Sequence, residues 1–268
     1  MGLWQRANDL FAAFGMALAY LRSMDSGLYA AYTGLLARTQ ALDTAANNLA
    51  NAGTNGFRAQ RDTFRGALVE GLTPGQQGSQ VGAAVNGFGV LGGSSADMAQ
   101  GPMVATANPM DLALSGTGFF AVATKQGVRY TRDGSFQRSA AGEIETKHGE
   151  AVLGVDGKPI AMPTGTVEVS GDGTVSVSGS VVGRVGVFAF AADALRAEGT
   201  NRFVATPGAT PTAGDAQVKQ GAIEGSNQDA VHGTMQLILV QRQAEMLQKA
   251  LSVFHNEFDK TAVELGRG

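Results

Sequence analysis

The side chains able to do chemistry in this chain are few, and their spacing supports no reaction. Histidine occurs three times, at His148, His232 and His255, without the local spacing of metal ligands. Cysteine is absent, which removes disulfides, thiolate metal sites and thiol nucleophiles together. Glu143 and Glu145 share one face of an expected strand, yet nothing beside them marks an acid and a base, and such pairs are usually solvated. Gly87-Phe88-Gly89-Val90-Leu91-Gly92 has the spelling G-x-G-x-x-G. A dinucleotide site needs a helix directly after it, and Gly93-Ser94-Ser95 follows instead. Neither a phosphate loop of the G-x-x-x-x-G-K type nor a G-x-S-x-G elbow is present. No catalytic, cofactor-binding or metal-binding residue is expected, and no small-molecule substrate.

Composition turns attention from sites to surfaces. At 268 residues the chain is long enough for one or two domains. A net charge of -3 offers no reason to expect nucleic acid or an anionic membrane as partner. Charged residues make up 16%, against about 25% in an average soluble domain. The 38 glycines are about double the usual share. Low charge fits surfaces that meet other protein surfaces, and abundant glycine equally fits a β-rich domain with many tight turns. The first 23 residues stand apart. Leu10–Leu21 is an apolar run behind Arg6, and Ala17-Leu18-Ala19 imitates a small-x-small cleavage site, but the run is too short to cross a membrane. The other reading takes residues 1–23 as an N-terminal extension upstream of a start at Met24.

The elements fall into three blocks. All seven prolines lie between Pro74 and Pro211, so both ends are free to form long helices. The front carries Leu28, Leu35, Leu42 and Leu49, spaced by seven. The back carries Leu237, Val240, Ala244, Leu247, Leu251, Phe254 and Phe258, spaced alternately by three and four. Each spacing draws one apolar seam along a helix, of coiled-coil type, that a partner helix must cover. Tyr32, Ala46, Val231, Met235, Ile238 and Met246 belong to a second stripe, available to neighbours. Met24–Asn51 is expected as the first helix, ending in Asn51-Ala52-Gly53. Asn227–Leu265 is expected as the last, with Ser226 or Asn227 as its cap. Between them, short β runs alternate with Asp133-Gly134, Asp156-Gly157 and Asp172-Gly173, which read as hairpin turns. The fold class expected is α+β. Coaxially paired terminal helices (24–70 and 222–268) frame extended connectors (71–107 and 208–221) and a central antiparallel all-β domain (108–207).

Asn47-Asn48-Leu49-Ala50-Asn51 is unusual, because asparagine is a poor helix former and three in five residues weaken a helix unless their amides find partners. Capping and turn formation account for Asn51 and extend to Asn48. For Asn47 the expected role is a hydrogen bond across a helix interface that sets register.

With its flanks, this cluster resembles a known signature. Ala41–Phe57 (ALDTAANNLANAGTNGF) and Arg58, preceded by Met24-Asp25-Ser26-Gly27-Leu28-Tyr29, are similar to the N-terminal motif of bacterial flagellar rod and hook proteins. The middle agrees at Gln100-Gly101, Asp111-Leu112-Ala113, Gly118-Phe119-Phe120, Tyr130-Thr131-Arg132 and Gly134. The end agrees at Glu224-Gly225-Ser226-Asn227, Gln241-Arg242 and Glu245. Two positions depart from the pattern: Asn227-Gln228-Asp229 stands for Asn-Val-Asn, and Ala244 for an aromatic residue. The resemblance implies a non-enzymatic axial subunit of the basal body, exported by the flagellar type III apparatus without a cleaved signal. It implies helical assembly with copies of itself and with other rod proteins. The start at Met24 and the length look most like the proximal rod subunit, with a distal rod or hook-type subunit as alternative. It further implies assembly roles for Asn47, Asn48, Leu49, Asn51, Gly56 and Phe57, and for Ser226, Asn227, Arg242 and Glu245. A reading from another class stays open, a secreted binding module with the β domain as recognition unit and the helices as an oligomerising stalk.

Overall fold

The structure, a computed structural model, describes residues 32–65, 90–191 and 194–265. The chain divides into two compact units, one of residues 1–45, 62–94 and 235–268, the other of residues 46–61 and 95–234. The expected helical start at Met24, the seam residue Leu28 and the first 23 residues lie outside the described part.

The second unit is an antiparallel β domain with two buried layers. Its main sheet runs Leu195–Glu198, Arg202–Ala205, Gly127–Thr131, Phe119–Thr124, Ala151–Val152, Ile144–Thr146 and Phe136–Arg138. Its strands pair antiparallel, as with Phe120 opposite Thr131 and Val122 opposite Val152. Phe119–Thr124 sits centrally and alternates faces as a strand must. Phe120 and Val122 enter a core with Leu114, Phe136, Ile144, Val152 and Val185, whereas Phe119 and Ala121 join Tyr130, Leu153 and Phe203 on the other side. The small three-stranded sheet Val167–Val169, Thr174–Val177 and Ser180–Arg184 supplies Val175 and Val177 to the first core.

Two of the three Asp-Gly pairs make the expected tight turns. Gly157 and Gly173 adopt φ of 73° and 87°, the left-handed region that glycine enters freely. The third, Asp133-Gly134, does not join neighbouring strands, because Gly127–Thr131 and Phe136–Arg138 lie far apart in the sheet order. Gly134 packs against the Leu112 backbone so closely that a side chain there would overlap the Leu112 carbonyl. Ser180–Arg184 and Val187–Ala189 are separate strands, interrupted at Val185-Gly186. The connector 208–221 holds short strands of its own. Gln217–Gln220 pairs with Leu112–Ser115, and just beyond it Ala222–Glu224 pairs with Met103–Ala105.

Of the helices, α1 spans 32–50 and α2 spans Ala230–Leu265, 36 residues or about 54 Å. The buried positions of α1 are Gly34, Ala37, Ala41, Ala45 and Asn48, while Leu35, Leu42 and Leu49 are only half-buried. The most covered face of α1 is therefore a small-residue stripe beside the leucine row, a face that permits close backbone approach. On α2 the residues of the expected seam are the covered ones: Leu247 is buried, and Leu237, Val240, Ala244 and Leu251 are half-buried. Phe254 and Phe258 lie within α2, but their side chains fall outside the description. The N-cap of α2 is neither Ser226 nor Asn227. Asp229 takes that place, its carboxylate accepting the His232 backbone N–H at 3.1 Å while its carbonyl accepts the first helical bond from Gly233.

Candidate functional site

The end of α1 and the start of α2 meet one part of the β domain, and the residues of the sequence signature concentrate there. Asn51 closes α1 as expected, its amide donating to the Asn47 carbonyl at 2.9 Å. Asn48 does something else. Its side chain is buried and pairs with the backbone of Gln60 in both directions, donating to the carbonyl at 2.8 Å and accepting the N–H at 2.9 Å. The amide imitates a strand partner and fastens the chain leaving α1 back onto the helix. Asn47 is exposed on the single subunit, with its side-chain oxygen 3.5 Å from the Asn51 amide.

Asn227 closes the same region from the other end of the sequence. Its oxygen accepts the Ala59 N–H at 2.7 Å, and its amide donates to the carbonyls of Asp97 and Ala99 at 2.8 and 3.1 Å. One side chain thus ties three segments together, which is why it is unavailable as a helix cap. Ser226 accepts the N–H of Gln228 at 3.0 Å within the turn leading to α2. Phe57 is buried, and its carbonyl accepts the Asn227 N–H. Leu49 lies against Gly233 in the first turn of α2, where an added methyl group would stand 3.2 Å from its side chain.

At the centre is a charged group that no spacing rule had singled out. Glu224 is fully buried. One carboxylate oxygen accepts from Arg58 at 2.5 Å and from the Gly101 N–H at 2.9 Å, and the other accepts from Arg132 at 3.0 Å. Its backbone carbonyl takes the Gly56 N–H at 2.8 Å. Arg132 donates also to the Gly116 carbonyl at 2.7 Å and lies over the Phe119 ring, 5.2 Å from its centre. Burial pushes the Arg132 guanidinium down from its ordinary value, and Glu224 opposes that shift. Gly56 (φ 67°) and Gly101 are pinned by the same packing: side chains there would strike the backbone of Asp133 and the Gly225 carbonyl. Asn201 bridges the Asn55 carbonyl and the Asp133 carboxylate at 3.2 and 3.0 Å.

The structure therefore unites Asn48, Leu49, Asn51, Gly56, Phe57, Ser226 and Asn227 in one joint. Arg242 and Glu245 stand apart from it, exposed farther along α2. Arg58, Arg132, Glu224 and Gly101 belong to the joint although periodicity and spacing were blind to them. Their only trace was that each falls inside the motif resemblance.

A second feature lies on α2 alone. Val231, Met235, Ile238, Leu239, Met246 and Val253 are all exposed. At about 100° per residue they fall on one side of the helix, opposite the face of Leu237, Val240, Ala244, Leu247 and Leu251. Among the described residues, no helix is long and apolar enough to cross a membrane. An apolar stripe facing away from a helix's own packing face is a protein-interaction feature.

Residues 28–58 match the family described as flagella basal body rod protein, and residues 113–177 match the flagellar hook protein FlgE/F/G D1 domain. The flagellar basal-body rod protein FlgF of Caulobacter vibrioides is 34% identical over 250 residues, covering 90% of this chain and 98% of the relative. FlgF of Escherichia coli is 36% identical, covering 84% and 93%, and FlgG of Bacillus subtilis is 31% identical, covering 83% and 90%.

Proposed function

The chain belongs to the flagellar basal-body rod protein family, a structural subunit of the basal body, and from that premise we propose how it builds a shaft. The α1 face of Gly34, Ala37, Ala41 and Ala45 covers the α2 seam of Leu237, Val240, Ala244, Leu247 and Leu251, giving a coaxial pair of coiled-coil type. The outward stripe from Val231 to Val253 docks onto neighbours, which are copies of this chain and other rod proteins. Asn47, Arg242 and Glu245, all exposed, hydrogen-bond across those contacts and set their register. Contacts of this kind do not close on themselves and so extend into a tube. The subunit is not an enzyme. It leaves the cell through the flagellar export apparatus, and its position in the rod is the proximal one.

The observation that carries the reading is α2, apolar on two opposite sides with only one side covered in the subunit. A lone globular domain has no use for such a helix, whereas a subunit surrounded by like helices does. Membership of the rod family also sets aside the secreted binding module with a helical stalk.

The absence of cysteine makes the test direct, because each introduced thiol is the only one in the chain. Met235→Cys, Ile238→Cys and Met246→Cys subunits carrying a photoactivatable crosslinker on the thiol should crosslink to neighbouring subunits in assembled basal bodies and not as dilute monomers. No crosslink at any of the three positions, in rods that contain the subunit, would contradict docking through the stripe.

A further inference from the structure

Among the described residues Glu224 is the one anion paired with the two buried cations Arg58 and Arg132, and the charge count around it is uneven. Arg58 and Arg132 bring two positive charges and Glu224 one negative, all in the interior. Two guanidinium nitrogens, the Nε atoms of Arg58 and Arg132, are already without a hydrogen-bond partner. Apart from Glu224, the acceptors of Arg58 and Arg132 among the described residues are the carbonyls of Phe57, Leu114 and Gly116, at 3.5, 3.4 and 2.7 Å. Neutral carbonyls cannot balance two desolvated cations.

We propose that Glu224 is the positioning residue of the joint: its charge, rather than its bulk, holds the last turn of α1 and the first turn of α2 to the β domain. Rod assembly then depends on a residue with no exposed surface, one that no neighbouring subunit reaches. Removing either arginine leaves a balanced pair of opposite charges. Removing the carboxylate charge leaves two like charges facing each other without water, and the joint opens to hydrate them. The strand Ala222–Glu224 leads directly to Ser226, Asn227 and the Asp229 cap. An opened joint therefore frees the origin of α2 and, through Gly56 and Arg58, the chain leaving α1.

Packing alone makes the opposite forecast, since Arg58→Met removes more atoms than the nearly isosteric Glu224→Gln. Amide hydrogen exchange on the purified full-length monomer separates the two. Glu224→Gln should speed exchange at residues 56–60 and 222–228 by on the order of a hundredfold. The strands Phe119–Thr124 and Gly127–Thr131 should keep their protection. Arg58→Met should speed the same amides by roughly tenfold or less. In basal bodies the Glu224→Gln subunit should be missing and the Arg58→Met subunit reduced less. The proposal is overturned if Arg58→Met opens the joint as much as Glu224→Gln, or if Glu224→Gln leaves joint exchange at the parental rate. Loss of protection spreading through the strands, or normal incorporation of Glu224→Gln, also overturns it. The incorporation arm rests on the rod reading, while the exchange arm is measured on monomer. A parent chain absent from basal bodies would end the rod reading and leave the exchange result standing.

Discussion

Replacing Gly56 by alanine tests the joint at its tightest point. Gly56 has φ of 67°, and an alanine Cβ there would lie 2.3 Å from the Asp133 nitrogen, 2.5 Å from the Arg132 carbonyl carbon and 2.9 Å from the Asp133 Cα. The left-handed conformation costs an L-residue roughly 1–2 kcal/mol. The overlap is with backbone, which cannot rotate away, so overpacking adds about 1–3 kcal/mol. Alanine stiffens the unfolded chain and returns about 0.4–1 kcal/mol. The net destabilisation is then about 1–4.5 kcal/mol, a shift of roughly fivefold to two-thousandfold in the open fraction of the joint. Gly53 is the internal control, because its φ is not positive and a Cβ there meets nothing within 4 Å. Gly53→Ala should change stability by no more than about 0.5 kcal/mol. Amide exchange at residues 56–60 in both variants, with urea denaturation of the same samples, gives the comparison. Equal exchange and equal denaturation midpoints for the two variants would refute the steric account of the motif glycine.

Other expectations concern the helices. Leu247 is buried on α2, so Leu247→Asp forfeits about 1.5–3 kcal/mol of apolar burial and adds an unpaired charge. Far-UV circular dichroism should show helix loss with the β domain intact, and unchanged helicity would count against the seam. Ile238 is exposed on the opposite side. Ile238→Asp should leave monomer stability within about 0.5 kcal/mol and still abolish incorporation into basal bodies, whereas normal incorporation would remove the stripe from the assembly. Asp229 lies below the usual carboxylate range, held there first by the His232 ring and then by the His232 backbone N–H. A carboxylate with a depressed folded-state pKa contributes stability above its unfolded pKa, and that contribution is lost as pH falls through the folded value. Acidification through that window should fray the first turn of α2, read from amide chemical shifts of residues 230–234. Asp229→Asn should remove this dependence, and an identical titration in the variant would disprove the assignment of the cap.

What was legible in the sequence was whatever leaves a short-range pattern. The three-four spacing from Leu237 to Leu251 named the covered face of α2, and Asp156-Gly157 and Asp172-Gly173 named real turns. The Asn47–Phe57 motif and Glu224–Asn227 were picked out by resemblance, without their purpose. The salt-bridged group stayed hidden because its partners lie 166 and 92 positions apart, and isolated charged residues look like any solvated ones. Asn227 looked like a helix cap because a cap and a three-way tie ask for the same amide, and only the fold brings Ala59, Asp97 and Ala99 within its reach. On α1 the leucines drew attention by size, yet buried alanines and a glycine leave no hydrophobic peak. Asp133-Gly134 has the composition of a hairpin, but its glycine is there to let Leu112 approach.

The joint also bears on what the free subunit should look like. Residues 46–61 belong to the same compact unit as the β domain, so they should be protected in the monomer along with 222–228. The central claim, that this chain is a structural part of the rod, is tested most directly by electron microscopy of basal bodies from a strain lacking it. The account predicts incomplete rods and loss of swimming, both restored by the parent chain and not by Ile238→Asp. Complete rods and normal motility in the deletion strain would contradict it.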